Sequence, residues 1–194
     1  MIFRPSLRSK TDDELMQLLA EGNQRALAEL YERYSVGLLR YFFRMLWKDE
    51  LKAQDFLHDL FLKLITNPKA YLPGRAFSTW IYSVAHNMCK NEYRKEAFRK
   101  GVNGQDITFV LPLVSDEIER DELKEVLGNA LERLDEDERH LYALRFEVEM
   151  PLEDIARLLE CPTGTVKSRL FHLKKKLAGF LTIDYPEKIR YGVQ

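Results

Sequence analysis

The stretch Pro151–Leu177, PLEDIARLLECPTGTVKSRLFHLKKKL, constrains this chain more than any other. Leu152, Ile155, Ala156 and Leu159 recur at helical spacing, which gives a first helix one apolar face. Cys161-Pro162 interrupts it, because proline lacks the N–H that continues the ladder and disfavours helical backbone in the residue before it. Thr163 is then placed to cap a second helix through its hydroxyl. In that helix Val166, Leu170, Leu173 and Leu177 fall on one stripe. Thr165, Lys167, Ser168, Arg169, Phe171, His172 and Lys174–Lys176 lie largely off it. Thr163 to Lys176 holds five lysines and arginines and no acid. An apolar back and a cationic, hydrogen-bonding front behind a tight turn predict a helix-turn-helix whose second helix enters a DNA major groove. A solvated basic helix in an ordinary bundle is the alternative. It explains the charge but not the break, the turn and the cap.

The rest of the composition suits a globular chain of one or two domains: 194 residues, 45% hydrophobic and 31% charged. The net charge of −1 gives no bulk attraction to nucleic acid, so distribution matters more. Lys90, Arg94, Lys95, Arg99 and Lys100 cluster in one place, the second helix above is another basic site, and Asp116 to Glu138 between them is acidic. This segregation predicts two DNA-facing surfaces, with the acids weakening DNA binding by the free chain. Cys89 and Cys161 form no metal-ligand pattern and read as small apolar residues. No signal core and no membrane-length run is present, so a reducing cytoplasm without membrane insertion is expected.

Thr11 with Glu14 matches a capping box, followed by two helices interrupted near Gly22-Asn23. Their aromatic stripe reads as core. Leu51–Ile65 reads as a helix with Phe56, Leu57, Leu60, Phe61 and Leu64 inside. Asp55, His58 and Asp59 share its polar surface. That trio is geometrically open to a metal, but no further ligand set accompanies it, so a partner-docking surface is the stronger reading and no metal or other cofactor is expected. Asn67–Phe77 reads as a loop, and Ser78–Arg94 as a helix with Trp80, Ile81, Val84, Ala85 and Met88 buried. Asn87, Lys90, Asn91 and Arg94 face elsewhere, and Tyr71 and Tyr82 are expected to offer faces to an unstacked base. The alternative is an ordinary amphipathic surface helix. Glu96–Ser115 loses periodicity and reads as a linker, about twenty residues that reach roughly 70 Å when extended. Two more helices, Asp116–Asn129 and Asp135–Phe146, the latter capped by Asp135 with Glu138, complete a second domain.

Four pieces together carry a resemblance: GNQRALAELYERY, DFLHDLFLKL, FSTWIYSVAHN and CPTGTVKSRLFHLKKKL. In this order and spacing the chain resembles a bacterial RNA polymerase sigma factor of the extracytoplasmic-function class of the sigma-70 family, over roughly residues 11–180. The resemblance implies an all-α protein of two small helical domains joined by a flexible linker, with no enzymatic centre. Residues 1–97 would form sigma region 2, 98–115 the linker, and 116–194 sigma region 4 with the helix-turn-helix and a tail. It further implies core RNA polymerase as partner, through the β′ clamp helices and the β flap, together with promoter DNA and an anti-sigma protein. By the same resemblance Asp55, His58, Asp59 and Phe61 fall in the segment that docks on polymerase. Lys63, Tyr71, Tyr82, Asn87, Lys90, Asn91 and Arg94 map onto the part that meets the −10 element. Arg145, Thr165, Lys167, Ser168, Arg169, Phe171 and His172 map onto the part that meets the −35 element. Two other classes fit parts of the sequence: a helix-turn-helix regulator that binds an operator without polymerase, and an enzyme built on Asp55, His58 and Asp59.

Overall fold

The structure is a computed structural model that describes residues 7–74, 76–102 and 118–184. Among the described residues every regular element is helical. The first bundle holds α1 (Asp12–Ala20), α2 (Gln24–Met45), α3 (Glu50–Thr66) and α4 (Phe77–Val102). The second holds α5 (Ile118–Glu132), α6 (Glu136–Tyr142), a π turn (Ala143–Glu147), α7 (Leu152–Leu158) and α8 (Thr163–Asp184).

Local chemistry sets most of these boundaries. Thr11 and Glu14 form the expected reciprocal capping box at α1. Gly22, at φ +89°, takes the left-handed turn after α1, and Asn23 accepts from the Arg25 N–H to start α2. Asp135 and Glu138 cap α6 in the same reciprocal way. Inside the first bundle Leu15, Leu30, Leu38, Phe42, Leu60, Leu64 and Ile81 are fully or almost fully buried. Gly37 lets α2 approach the Tyr82 hydroxyl, which a Cβ there would meet at 2.6 Å.

One sequence expectation changes. Helix α4 does not give way to a linker at Glu96 but runs to Val102. Its last turns have no apolar stripe, but Lys52 bonds both Glu92 and Glu96, at 2.9 and 2.5 Å, and so ties the extension to α3. The remainder of the expected linker lies outside the described residues. The two bundles, whose relative placement the sequence leaves open, are packed on each other.

That contact is built on the C-terminal half of α2 and on α4. The Tyr41 hydroxyl reaches His140 Nδ1 at 2.7 Å, and His86 stacks on His140 with ring centroids 3.7 Å apart. Arg44 donates to Glu147 through Nε and Nη2, at 3.0 and 2.7 Å. Lys48 pairs with Glu132 at 2.8 Å, and the Arg139 guanidinium lies over the Trp47 ring. Trp47 and Lys48 both adopt left-handed backbone, at φ 53° and 62°. For non-glycine residues this costs roughly 1–2 kcal/mol each. The turn is held by Lys48 N–H to Phe43 carbonyl and Asp49 N–H to Leu46 carbonyl bonds. It aims both side chains at the second bundle.

Replacing Leu60, which has no exposed surface, with alanine is expected to lower stability by about 2–5 kcal/mol. Urea denaturation followed by far-UV circular dichroism measures this. A loss below 1 kcal/mol would place Leu60 outside the core.

Candidate nucleic-acid interface

The helix-turn-helix is formed by α7 and α8. Helix α7 ends at Leu158 with Leu159 as its C-cap, and Glu160 turns the chain at φ 51°. The Pro162 carbonyl then accepts from the Thr165 N–H at 2.9 Å and from the Val166 N–H at 3.3 Å. Proline thus occupies the capping position, and Thr163 is the first residue of α8 rather than its cap. Ile155 and Ala156 of α7 are buried along with the predicted stripe of Val166, Leu170, Leu173 and Leu177. This fixes which way the rest of α8 faces.

The face left outside carries Lys167, Ser168, Arg169, Phe171, His172, Lys174 and Lys175, all exposed, with Thr165 half-buried at its edge. Phe171 keeps 64% of its surface accessible and stands edge-on to His172 at 5.5 Å. An aromatic ring this exposed, flanked by cations, suits contact with a thymine methyl or a sugar. The basic set is thinned by the fold. Lys176 is bonded to both Glu138 oxygens, at 2.6 and 2.8 Å, and the Lys174 ammonium sits 5.7 Å from the centre of the Phe146 ring. Arg145 is half-buried in the π turn and donates to the Met150 carbonyl, which braces the loop before α7.

In the first bundle Asn87, Asn91 and Arg94 are exposed along α4, Lys90 is half-buried, and Lys63 is exposed on the last turn of α3. Tyr71 and Tyr82, expected to offer open faces, are core residues with 4% and 3% of their surface accessible. Tyr71 lies among Phe77 and Trp80 and donates its hydroxyl to Asp13. Tyr82 packs edge-on against Tyr41. Burial pushes both phenols well above the usual tyrosine range, and at Tyr71 the Asp13 carboxylate adds to it. Neither ring stacks on a base while the core stays packed.

The α3 surface is a separate face. Asp55, His58 and Asp59 are exposed on it as expected, whereas Phe61 turns inward, 5% accessible, against Tyr31. Leu62 and Ile65, not singled out from the sequence, are 55% and 50% exposed beside the polar trio. The signal for them is a break in period: both fall off the Leu57, Leu60, Leu64 stripe. Acids and exposed apolar side chains on one helix face suit a protein partner better than DNA. Among the described residues no group of three or more histidine, cysteine or acidic side chains is placed to hold a metal ion.

Fold and faces together define a two-bundle helical protein whose second bundle presents a helix-turn-helix. Comparisons make this specific. Residues 30–99 match the sequence model of sigma-70 region 2, and residues 124–177 that of sigma-70 region 4, so together they take in well over half of the chain. RNA polymerase sigma-H factor of Pseudomonas aeruginosa is 29% identical over 182 residues, 88% of this chain and 94% of the relative. The ECF RNA polymerase sigma-E factor of Escherichia coli K12 is 26% identical over 182 residues, 86% of this chain and 92% of the relative. The fold is shared with CnrH, solved in complex with the cytosolic domain of CnrY. That likeness has a TM-score of 0.66 and 24% identity, and covers 90% of this chain and 99% of CnrH. Sigma factor RpoE from Bartonella quintana, solved with the anti-sigma factor NepR, gives a TM-score of 0.62 and 22% identity over 80% of this chain and 98% of RpoE. The chain belongs to the sigma-70 family, in its extracytoplasmic-function class.

Replacing Arg169 with alanine is expected to weaken duplex binding by about 1–3 kcal/mol if it reads a base edge, or to lower the salt slope by about one if it meets a phosphate. Fluorescence anisotropy over a salt series separates the two. Unchanged affinity and slope would remove Arg169 from the interface.

Proposed function

We propose that this chain is an alternative-type sigma factor that binds core RNA polymerase, brings it to promoters and takes part in opening the duplex. The observation that carries this reading is one chain with two unlike faces: an exposed cationic recognition helix, α8, and a mixed acidic and apolar surface on α3. A stand-alone operator binder needs the first face only.

Each face then has a physical task. Lys167 and Arg169 meet guanine edges or phosphates of the −35 element in an intact groove, and Phe171 meets a methyl or sugar. Thr165, Ser168 and His172 add hydrogen bonds beside them, and Arg145 holds the loop that sets the helix angle. On α4, Asn87 and Asn91 offer amides to exposed bases of the −10 element, while Lys63, Lys90 and Arg94 draw in its phosphates. Tyr71 and Tyr82 hold that surface in shape from beneath. Asp55, His58 and Asp59, with Leu62 and Ile65, dock on polymerase, while Phe61 fixes the helix from inside.

Unstacking a base costs a few kcal/mol, about what stacking on an aromatic returns, and here neither Tyr71 nor Tyr82 offers an open face. Melting therefore depends on polymerase. The protein has no catalytic role, works in the cytoplasm, and is held in check by an anti-sigma protein that covers the docking faces. Among the described residues no helix is long and apolar enough to cross a membrane.

The packed arrangement cannot serve a promoter unchanged. The −10 and −35 elements lie about 25 base pairs apart, or ~85 Å at ~3.4 Å per pair. A compact body of this chain length has a radius of gyration of only ~16 Å. The two bundles must separate for α4 and α8 to reach both elements.

Transcription in vitro with core polymerase tests the function: run-off transcripts with mapped starts are expected only when the chain is added. Replacing Asp55, His58 and Asp59 together by alanine is expected to weaken core binding tenfold or more while isolated duplex binding stays intact. Binding of a palindromic duplex as a dimer, with no transcript, would favour the operator-binding alternative.

A further inference from the structure

We propose that Tyr41, His86 and His140 form a proton-sensitive latch between the two bundles, shut while both imidazoles are neutral and released when they are protonated. This rests on the sigma-factor reading and adds a regulatory step to it. The three residues come from α2, α4 and α6, so the cluster exists only while the bundles are packed.

The geometry admits few protons. The Tyr41 hydroxyl lies 2.7 Å from His140 Nδ1 and 3.3 Å from His86 Nδ1. A hydroxyl has one proton to give and lone pairs to receive, so it donates to the closer His140 Nδ1 and accepts from His86. Protonating His140 at Nδ1 removes that acceptor, and the hydroxyl can donate again only if His86 holds its proton on Nε2 and leaves its Nδ1 free. If both carry protons there, the hydroxyl meets two donors and its own proton has no acceptor. The rings are stacked at 3.7 Å and 15°, so two imidazolium charges would also lie face to face. His140 is 1% exposed, and its Nε2 is buried without a partner among the described residues.

The surrounding charges do not rescue the protonated pair. From α4, Lys90 acts on both rings and disfavours the cation. From α6, Asp137 favours it at His86, and Glu136 faces Tyr41. From α2 the facing group is the neutral Tyr41 itself, with Tyr82 and Cys89 of α4 behind it, also neutral. Burial dominates, lowering His86 to about 4 and His140 well below the ordinary histidine range.

The sign follows. Both histidines bind protons more weakly in the packed form than in the open one, where they return to about 6.5. The latch therefore holds fully above that value and weakens as pH falls through it. Each histidine shifts the equilibrium about tenfold per pH unit below 6.5, so two give about 100-fold between pH 7.5 and 5.5. The Arg44–Glu147 and Lys48–Glu132 pairs hold the same interface by charge and do not supply this response. Acidification thus raises the share of chains able to span a promoter.

Small-angle X-ray scattering of the full chain at pH 7.5, 6.5 and 5.5 tests the latch, with far-UV circular dichroism on the same samples. The expected result is a larger radius of gyration at pH 5.5 with helical signal unchanged. It should be lost in a His86→Gln, His140→Gln double variant, whose amides accept from Tyr41 and never charge. No expansion in the wild-type chain, equal expansion in the double variant, or expansion that tracks loss of helix would each overturn the proposal. Imidazole NMR shifts of the wild-type chain decide the matter if the double variant fails to fold. Two histidines of depressed apparent pKa support the latch, and four histidines all titrating near 6.5 overturn it. Transcription with core polymerase at pH 7.5 reports on the sigma-factor function separately, so failure of the latch leaves that reading standing.

Discussion

Helix α2 is the member on which both halves of the molecule lean. Its buried side supports α1 and α3 through Ala26, Leu30, Leu38 and Phe42. Its last turns support α6 and the π turn through Tyr41 and Arg44. One rigid rod thus carries the core of the first bundle and the seat of the second. The chain then turns back through Trp47 and Lys48 in left-handed backbone, and that turn adds two more contacts to the seat. Remove the support and the helix-turn-helix keeps its own core of Ile155, Val166, Leu170 and Leu173 but loses its fixed place.

The seat adds polar contacts to a buried apolar cluster that runs through both bundles, and these polar contacts matter. They include two ion pairs, a hydroxyl–imidazole bond, a histidine stack and the Arg139 guanidinium over Trp47. Such contacts contribute modestly, because charges and hydroxyls give up hydration to make them. Parting the bundles therefore costs apolar burial as well as these polar contacts, a cost that polymerase and promoter binding must offset. The acidic stretch takes on a second meaning here. Glu132 and Glu138 are spent on Lys48 and Lys176, so those two acids clasp the fold as well as setting its charge.

Much of this was legible in the sequence, for a physical reason: caps, breaks and periodic stripes act over a few residues. Thr11 with Glu14, Asp135 with Glu138, and the Val166–Leu177 stripe read correctly because the partner of each residue lies within a turn or two. Tyr71 and Tyr82 misled because an aromatic beside a loop looks the same whether its hydroxyl finds water or Asp13. The end of α4 was placed too early because its support comes from Lys52, some forty residues away, and not from its own apolar pattern. The contact between the bundles was invisible. Tyr41 and His140 are 99 residues apart, and neither stands out from its neighbours. Among the candidate site residues, exposure on α8 followed from periodicity, and the same periodicity sets Leu62 and Ile65 off the buried stripe of α3, although their apolar character hid it.

The separation of the two bundles on engaging a promoter can be seen directly by single-molecule energy transfer. Dyes would be placed at Gln54→Cys on α3 and Lys175→Cys on α8, both exposed positions, with Cys161 replaced by serine. Cys89 is buried and its thiol is pushed well up by that burial, so it stays unlabelled. The free chain at pH 7.5 should show one high-transfer population, and addition of core polymerase with promoter DNA should replace it by a low-transfer one. A high-transfer population that persists in the transcribing complex would contradict the requirement that the bundles come apart.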